Sequence, residues 1–248
     1  MLSRAMKGET RTPEFLAKVS ADGRIPVLQA GNRFIAESNA ICFYVAEGSG
    51  LIPPDRAERA DMLTERRNSR MREAIEAAAG RGVSRETFEL LERYVDLLLK
   101  ENDRQNLISK STVDEIWQRH IIDGAQLVRF APRTDSSWLD IGSGAGLPGM
   151  VIAILTEGPV TLVEPRKLRA DFLQRAPDVL GLADRVKVQT AKAERITGKF
   201  DVITARAVAP LDVLLSISRH LSTDKTLWLF PKGKSAQLEL EQARRSWA

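Results

Sequence analysis

Cysteine and histidine are nearly absent: the chain has one cysteine, Cys42, and two histidines, His120 and His220. A single cysteine excludes an internal disulfide and a cysteine-based zinc cluster, and two scattered histidines are too few for a histidine metal site. No metal is expected. Long hydrophobic runs are missing as well. With no stretch of about eighteen apolar residues and no charged-then-apolar leader, the reading is a cytoplasmic protein with no membrane partner. Strong charge of one sign is also lacking. The 37 Lys and Arg against 33 Asp and Glu leave a net charge of +4, mildly basic, which suits RNA or DNA handling and many unrelated enzymes alike. Hydrophobic content of 43% with 28% charged residues is ordinary for a globular chain and gives no sign of disorder or a fibre. Nothing in the composition speaks to oligomeric state.

What is present is organised around one stretch, Ser137-Trp138-Leu139-Asp140-Ile141-Gly142-Ser143-Gly144-Ala145-Gly146-Leu147-Pro148-Gly149-Met150. A short apolar strand runs into a glycine-spaced turn and then into a helix. Three glycines at alternate positions leave no side chain between the backbone and a ligand, and the free N–H groups of the helix start face whatever sits there. An ordinary Gly-rich strand-to-helix turn would share this pattern, so the loop alone does not settle a cofactor.

The rest of the chain divides into three parts. Residues 1–66 carry a short helix from Thr12, a turn and strand over Gly23 to Gln29, a second strand at Phe34 to Glu37 joined through an Asn32 turn, and a helix from Ser38 to Glu47. That block is too small for a core of its own. Residues 67–134 are a linker and helical cap. Arg56 to Arg72 is dense in Arg and Glu and reads as a solvated helix or linker. From Ser84, the expected N-cap, Phe88, Leu91, Val95, Leu98 and Leu99 recur at helical spacing. Asn102 to Ser109 reads as a polar loop, and a second helix opens at Ser111 or Thr112 carrying Ile116, Trp117 and His120. Residues 135–248 alternate strands and helices: helix Pro148 to Leu155, strand Val160 to Val163, helix Lys167 to Leu180 ended by Gly181, strands Arg185 to Gln189 and Phe200 to Thr204, helix Leu211 to Leu221, strand Thr226 to Phe230, and helix Ala236 to Ser246. This order implies a doubly wound α/β domain with a parallel sheet covered on both faces.

Such sheets bind ligands at the carboxyl ends of their strands, where strand order reverses. The glycine loop ends the first strand and Glu164 the second, where an acid accepts hydrogen bonds from ribose hydroxyls. Nicotinamide and S-adenosylmethionine enzymes share that layout. Three details favour S-adenosylmethionine. Asp140 precedes Gly142, Gly144 and Gly146 and is placed to receive an ammonium group. The Ala193-Glu194 pair follows the third strand, where an adenine edge can be read. The fourth strand ends in Thr204-Ala205-Arg206-Ala207, which sets Arg206 at the catalytic rim to clamp a phosphate or another anion.

Two resemblances add to this reading. Gly23-Arg24-Ile25-Pro26-Val27-Leu28, Ala36-Glu37-Ser38-Asn39-Ala40-Ile41, Tyr44 to Gly48 and Leu51-Ile52-Pro53 resemble the second half of the glutathione S-transferase N-terminal domain. The resemblance implies a cis peptide at Pro26, a glutathione contact at Glu37 and Ser38, and a partial thioredoxin-like segment, since the family's first strand and helix have no counterpart here. Over about residues 71–248, Asn106-Leu107-Ile108, Arg119-His120-Ile121-Ile122-Asp123, Leu139 to Gly149, Arg206-Ala207-Val208-Ala209-Pro210-Leu211 and Pro231-Lys232-Gly233 resemble the small-subunit ribosomal RNA guanine-N7 methyltransferase family, also called glucose-inhibited division protein B. That resemblance implies methyl transfer from S-adenosylmethionine to guanine N7 of 16S rRNA or the small ribosomal subunit. It places cofactor contacts at Gly142, Leu147, Ala193, Glu194 and Arg206. It also implies a Rossmann-like sheet with two further strands after the helix at Ala236, so Thr226 to Phe230 is expected as an apolar edge.

Guanine N7 already presents a lone pair, so this chemistry needs alignment and charge relief and no general base. The chain accordingly has no Asn-Pro-Pro-Tyr box and no core cysteine. Candidate RNA contacts are Arg119, His120, Arg166, Lys167, Arg206, Lys232 and Lys234. For His120 a hydrogen bond to Asp123 or a backbone carbonyl is the alternative, and for Lys232 a plain turn lysine. Glu101, where the family carries tryptophan, adds negative charge near the expected RNA side. Two other readings stand beside the enzyme: an inactive RNA- or cofactor-binding module without turnover, and a glutathione-binding protein acting through the N-terminal segment.

Overall fold

A computed structural model describes residues 27–30, 33–36 and 55–247 of the chain. It divides into two compact units, Met1–Asn68 and Ser69–Ala248. Within the first, β1 (Val27–Ala30) and β2 (Arg33–Ala36) pair antiparallel, with Val27 opposite Ala36 and Ala30 opposite Arg33, which is the hairpin expected around Asn32. The expected helices at Thr12 and Ser38, together with Pro26, Glu37 and Ser38, lie outside the described residues.

The second unit begins along α1 (Arg56–Ala79), whose later turns bury Ile75 and Ala79. Helix α2 (Arg85–Gln105) starts where its sequence signal lies: the Ser84 hydroxyl accepts from the Thr87 N–H at 3.1 Å. Phe88, Leu91, Tyr94, Val95 and Leu98 form its buried stripe. Two expectations are corrected here. The segment from Asn102 is not a loop, because α2 runs on to Gln105, where Asn106 ends it in the left-handed region at φ 48°. The Asn102 side chain is buried and accepts the Ile108 N–H at 2.8 Å, so a polar residue closes a turn from inside the helix. The second helix is also not one helix. It comprises α3 (Lys110–Val113), a π-helical turn (Trp117–Ile122) and α4 (Asp123–Val128).

The sheet follows. Strands β3 (Trp138–Ile141), β4 (Val160–Val163), β5 (Val186–Gln189), β6 (Val202–Ala205) and β7 (Leu227–Leu229) lie in the order β5-β4-β3-β6-β7, all parallel. Helices α5 (Gly149–Leu155), α6 (Lys167–Leu180), α7 (Leu211–Ser218) and α8 (Ala236–Trp247) connect or follow them, with 3₁₀ turns at Ala193–Arg195 and Arg219–Leu221. Helix α6 stops at Gly181, in the left-handed region at φ 71°. Because β-strand side chains alternate, the central strand feeds two cores. Trp138 joins α2, α5 and α6 in one apolar cluster, and Leu139 and Ile141 join Ile203, Ala205 and Leu214 in a second on the opposite face. The doubly wound expectation holds. Strand order reverses between β3 and β6, so the switch point lies at the carboxyl end of β3. Among the described residues β7 pairs only with β6. No helix among them is long and apolar enough to cross a membrane.

Candidate active site

The loop after β3 is folded tightly onto its neighbours. Gly142, Gly144 and Gly146 all take left-handed backbone, at φ 67°, 57° and 88°, which other residues adopt only with strain. The N–H groups of Gly142 and Ser143 donate to the Val163 carbonyl at 2.8 and 3.0 Å, so the end of β4 anchors the start of the turn. From the cap, the buried Tyr94 hydroxyl donates to the Ala145 carbonyl at 2.8 Å. Tyr94 lies on the buried stripe of α2, beside Leu91 and Leu98. A buried tyrosine hydroxyl still requires a partner, and here the partner is the loop itself.

Asp140 sits beneath this turn, 1% exposed. Its Oδ2 accepts the Gly149 N–H at 3.1 Å, at the start of α5, while its Oδ1 is buried without a hydrogen-bond partner. Burial raises its pKa to about 7, offset in part by the Gly149 N–H and the Arg206 charge. A β-carbon on Gly149 would stand 2.6 Å from Asp140 Oδ2, so only glycine lets the helix start approach this close. An unpartnered, buried carboxylate oxygen at a helix N-terminus fits an ammonium-bearing ligand.

The second acid is brought to the same place. Glu164, 3% exposed, accepts the Gly144 N–H on Oε2 at 2.9 Å and the Arg166 N–H on Oε1 at 2.8 Å. Each carboxylate oxygen retains a further acceptor site for a hydroxyl. Ala193 and Glu194 lie on the 3₁₀ turn after β5, Ala193 buried and Glu194 exposed. The Leu147 side chain is buried in the core, and its N–H donates to the Ser143 carbonyl at 3.2 Å, which closes the loop on itself.

On the other side of the switch point an open cleft of about 520 Å³ is lined by Asp123, Arg206, Val208, Pro231, Lys232 and Glu239, among others. It adjoins the glycine loop, because a β-carbon on Gly142 would meet the Val208 side chain at 2.6 Å. Arg206 reaches across it and donates to the Arg119 carbonyl at 3.2 Å, which ties β6 to the π-helical turn.

The remaining cations divide. Arg119 pairs with Glu115 at 3.1 Å with both side chains more than half exposed, an interaction worth little in water and open to exchange. Lys167 bonds Asp171 one turn on, Arg166 is exposed at the start of α6, and Lys234 is exposed. The expectation that Lys232 grips RNA is corrected. Its ammonium donates to the Ala209 carbonyl at 2.5 Å and pairs with Glu239 at 2.9 Å, at 15% side-chain exposure, so its charge is used inside the protein. The histidine alternative is corrected too: His120 Nε2 bonds the Thr112 hydroxyl at 3.1 Å rather than Asp123 or a carbonyl. Burial, with the charges of Arg206 and Arg119, lowers its pKa to about 4, which keeps the ring uncharged and unsuited to a phosphate. Glu101 does not project bare charge. It pairs with Arg175 at 3.0 Å and Arg104 at 3.6 Å. Among the described residues no cluster of metal-binding side chains occurs.

A parallel, doubly wound sheet with a glycine loop at its switch point, an acid ending the next strand and an open cleft of mixed charge alongside defines a Rossmann-like nucleotide-cofactor enzyme. The chain belongs to the rRNA small subunit methyltransferase G family, whose sequence profile matches residues 87–248. It is similar to ribosomal RNA small subunit methyltransferase G of Novosphingobium aromaticivorans, 51% identical over 161 residues that cover 63% of this chain and 70% of the relative. The protein of the same name from Zymomonas mobilis is 47% identical over 175 residues, 67% of this chain and 78% of the relative. Among solved structures, a ribosomal protein L11 methylase from Lactobacillus delbrueckii shares 19% identity at a TM-score of 0.44, covering 51% of this chain and 65% of that one. The glutathione S-transferase N-terminal domain profile matches residues 4–47.

Proposed function

We propose that this chain transfers a methyl group from S-adenosylmethionine to N7 of a guanine in 16S rRNA, presented as the small ribosomal subunit or its precursor in the cytoplasm. Membership of the rRNA methyltransferase family supports the reaction class. The observation that carries the cofactor assignment is the buried, unpartnered Oδ1 of Asp140 beside a loop of three left-handed glycines. Asp140 holds the ammonium end, Gly142, Gly144, Gly146 and the Leu147 backbone cradle the body, and Glu164 accepts from the ribose. The Ala193-Glu194 turn reads the adenine, and Arg206 faces the cleft.

The cofactor supplies a methyl group on a sulfonium, which departs as a neutral thioether. The chain's own task is placement. Guanine N7 carries a lone pair and no proton, so nothing in the site has to remove one. The uncharged, internally bonded His120 accords with that. Arg206, held by the Arg119 carbonyl, positions the nucleotide through its anionic backbone and faces no developing negative charge. Arg119, Arg166, Lys167 and Lys234 supply exchangeable phosphate contacts. Residues 1–66 are proposed as a partial glutathione S-transferase-like segment, residues 67–134 as the linker and cap, and 135–248 as the methyltransferase domain. Methyl-labelled S-adenosylmethionine with small subunits lacking the modification tests the reading, with 7-methylguanosine identified by nucleoside mass spectrometry. Cofactor binding without label in rRNA would refute turnover, and label at an exocyclic nitrogen would refute the N7 assignment.

A further inference from the structure

We infer that Asp123 reads the Watson–Crick edge of the target guanine and so sets base specificity; this rests on the methyltransferase reading above. Two acids line the cleft, Asp123 and Glu239. Glu239 is spent: one carboxylate oxygen pairs with Lys232 and accepts the Leu211 N–H at 2.9 Å, and the other accepts the Ser235 hydroxyl at 2.7 Å. Asp123 is exposed at the first position of α4, and no side-chain partner is assigned to it. Its backbone N–H is held by the His120 carbonyl of the π-helical turn, and that turn is pinned by the bond from Arg206 to Arg119. The backbone that carries the carboxylate is therefore held, while the carboxylate itself is chemically free.

An ionised carboxylate only accepts hydrogen bonds. Guanine alone among the four bases sets two donors side by side on its Watson–Crick edge, N1–H and the 2-amino group. Adenine and cytosine each turn a lone pair toward the same position and would be repelled. A base taken out of its stack is read in this way, by hydrogen bonds to that edge with a nonpolar wall beside it. Val208, Pro210 and Pro231 provide such a wall in a cleft of about 520 Å³, within the range for one small ligand. With the Watson–Crick edge on Asp123, N7 on the far side of the base is unobstructed.

The test uses the full chain with small subunits carrying either guanosine or inosine at the methylated position, inosine lacking the 2-amino group. Asp123→Asn is expected to lower kcat/KM on guanosine subunits by about 30-fold, from losing charged acceptance of two hydrogen bonds, with S-adenosylhomocysteine affinity and thermal unfolding unchanged. On inosine subunits the wild type is itself slowed and the penalty of the substitution shrinks to about threefold. Asp123→Ser, which also removes the carboxylate charge, is expected to repeat the pattern. Equal rates for wild type and both variants on guanosine subunits, or an equal penalty on both substrates, overturn the assignment and leave the methyltransferase reading intact. A wild type that binds S-adenosylhomocysteine yet methylates neither substrate overturns that reading and this inference with it.

Discussion

Replacing Asp140 by Asn changes stability with a sign that depends on pH. Moving the carboxyl pKa from 3.8 to about 7 costs the ionised form about 4 kcal/mol in the folded state. The folded chain holds the proton more tightly than the unfolded one, so this group's contribution is most favourable at low pH. Stability is lost as pH rises from the ordinary carboxylate range toward 7, and is level above that. Asparagine removes the charge and still accepts the Gly149 N–H through its oxygen. Its NH₂ then occupies the place of the unpartnered Oδ1, at a cost of about 1–3 kcal/mol for an unmet donor. At pH 8.5 the variant is therefore expected to be more stable than the wild type by about 1–3 kcal/mol without ligand. At pH 4.5 the wild-type penalty has fallen to about 1 kcal/mol, and the variant is equal or less stable. Urea unfolding of the apo chain at both pH values measures the difference. A change in ΔΔG of less than about 1 kcal/mol between them would refute the buried, proton-binding carboxylate. The same substitution should weaken S-adenosylhomocysteine binding by about 10–100-fold at pH 8 and abolish the rise in affinity through pH 7 that a carboxylate receiving an ammonium group produces.

Tyr94→Phe frees the Ala145 carbonyl from its buried donor. It should cost about 1–2 kcal/mol in chemical unfolding and lower cofactor affinity several-fold by calorimetry, since the loop loses its tie to α2. Gly149→Ala drives a methyl group into Asp140 and Leu162. About 2–4 kcal/mol of stability and all measurable cofactor binding should be lost, and unchanged binding would show that the helix start does not form the cradle. Lys232→Met breaks a mostly buried pair with Glu239. A lower urea-unfolding midpoint is expected, with the salt dependence of rRNA binding unaltered; a shallower salt slope would return this lysine to the RNA interface.

The elements readable from sequence were those whose signals are local. Ser84 and Gly181 marked the ends of their helices because capping involves residues within one turn. The apolar strands at Trp138, Val160 and Val202 declared a parallel sheet because both of their faces are covered. The glycine spacing after Ile141 located the loop, since left-handed backbone limits which residues can stand there. Charge state and partner choice were decided only in three dimensions. Lys232 looked like an RNA contact until the chain brought Ala209 and Glu239 against its ammonium, and His120 is kept neutral by burial, with the charge of Arg206, 86 residues later, adding to the effect. Asp140 was legible as an acid at the right place, but its raised pKa follows from burial beneath a turn that α2 and α5 close over it. The division is physical: backbone preference and periodicity act over a few residues, whereas desolvation and ion pairing depend on which distant groups folding sets side by side.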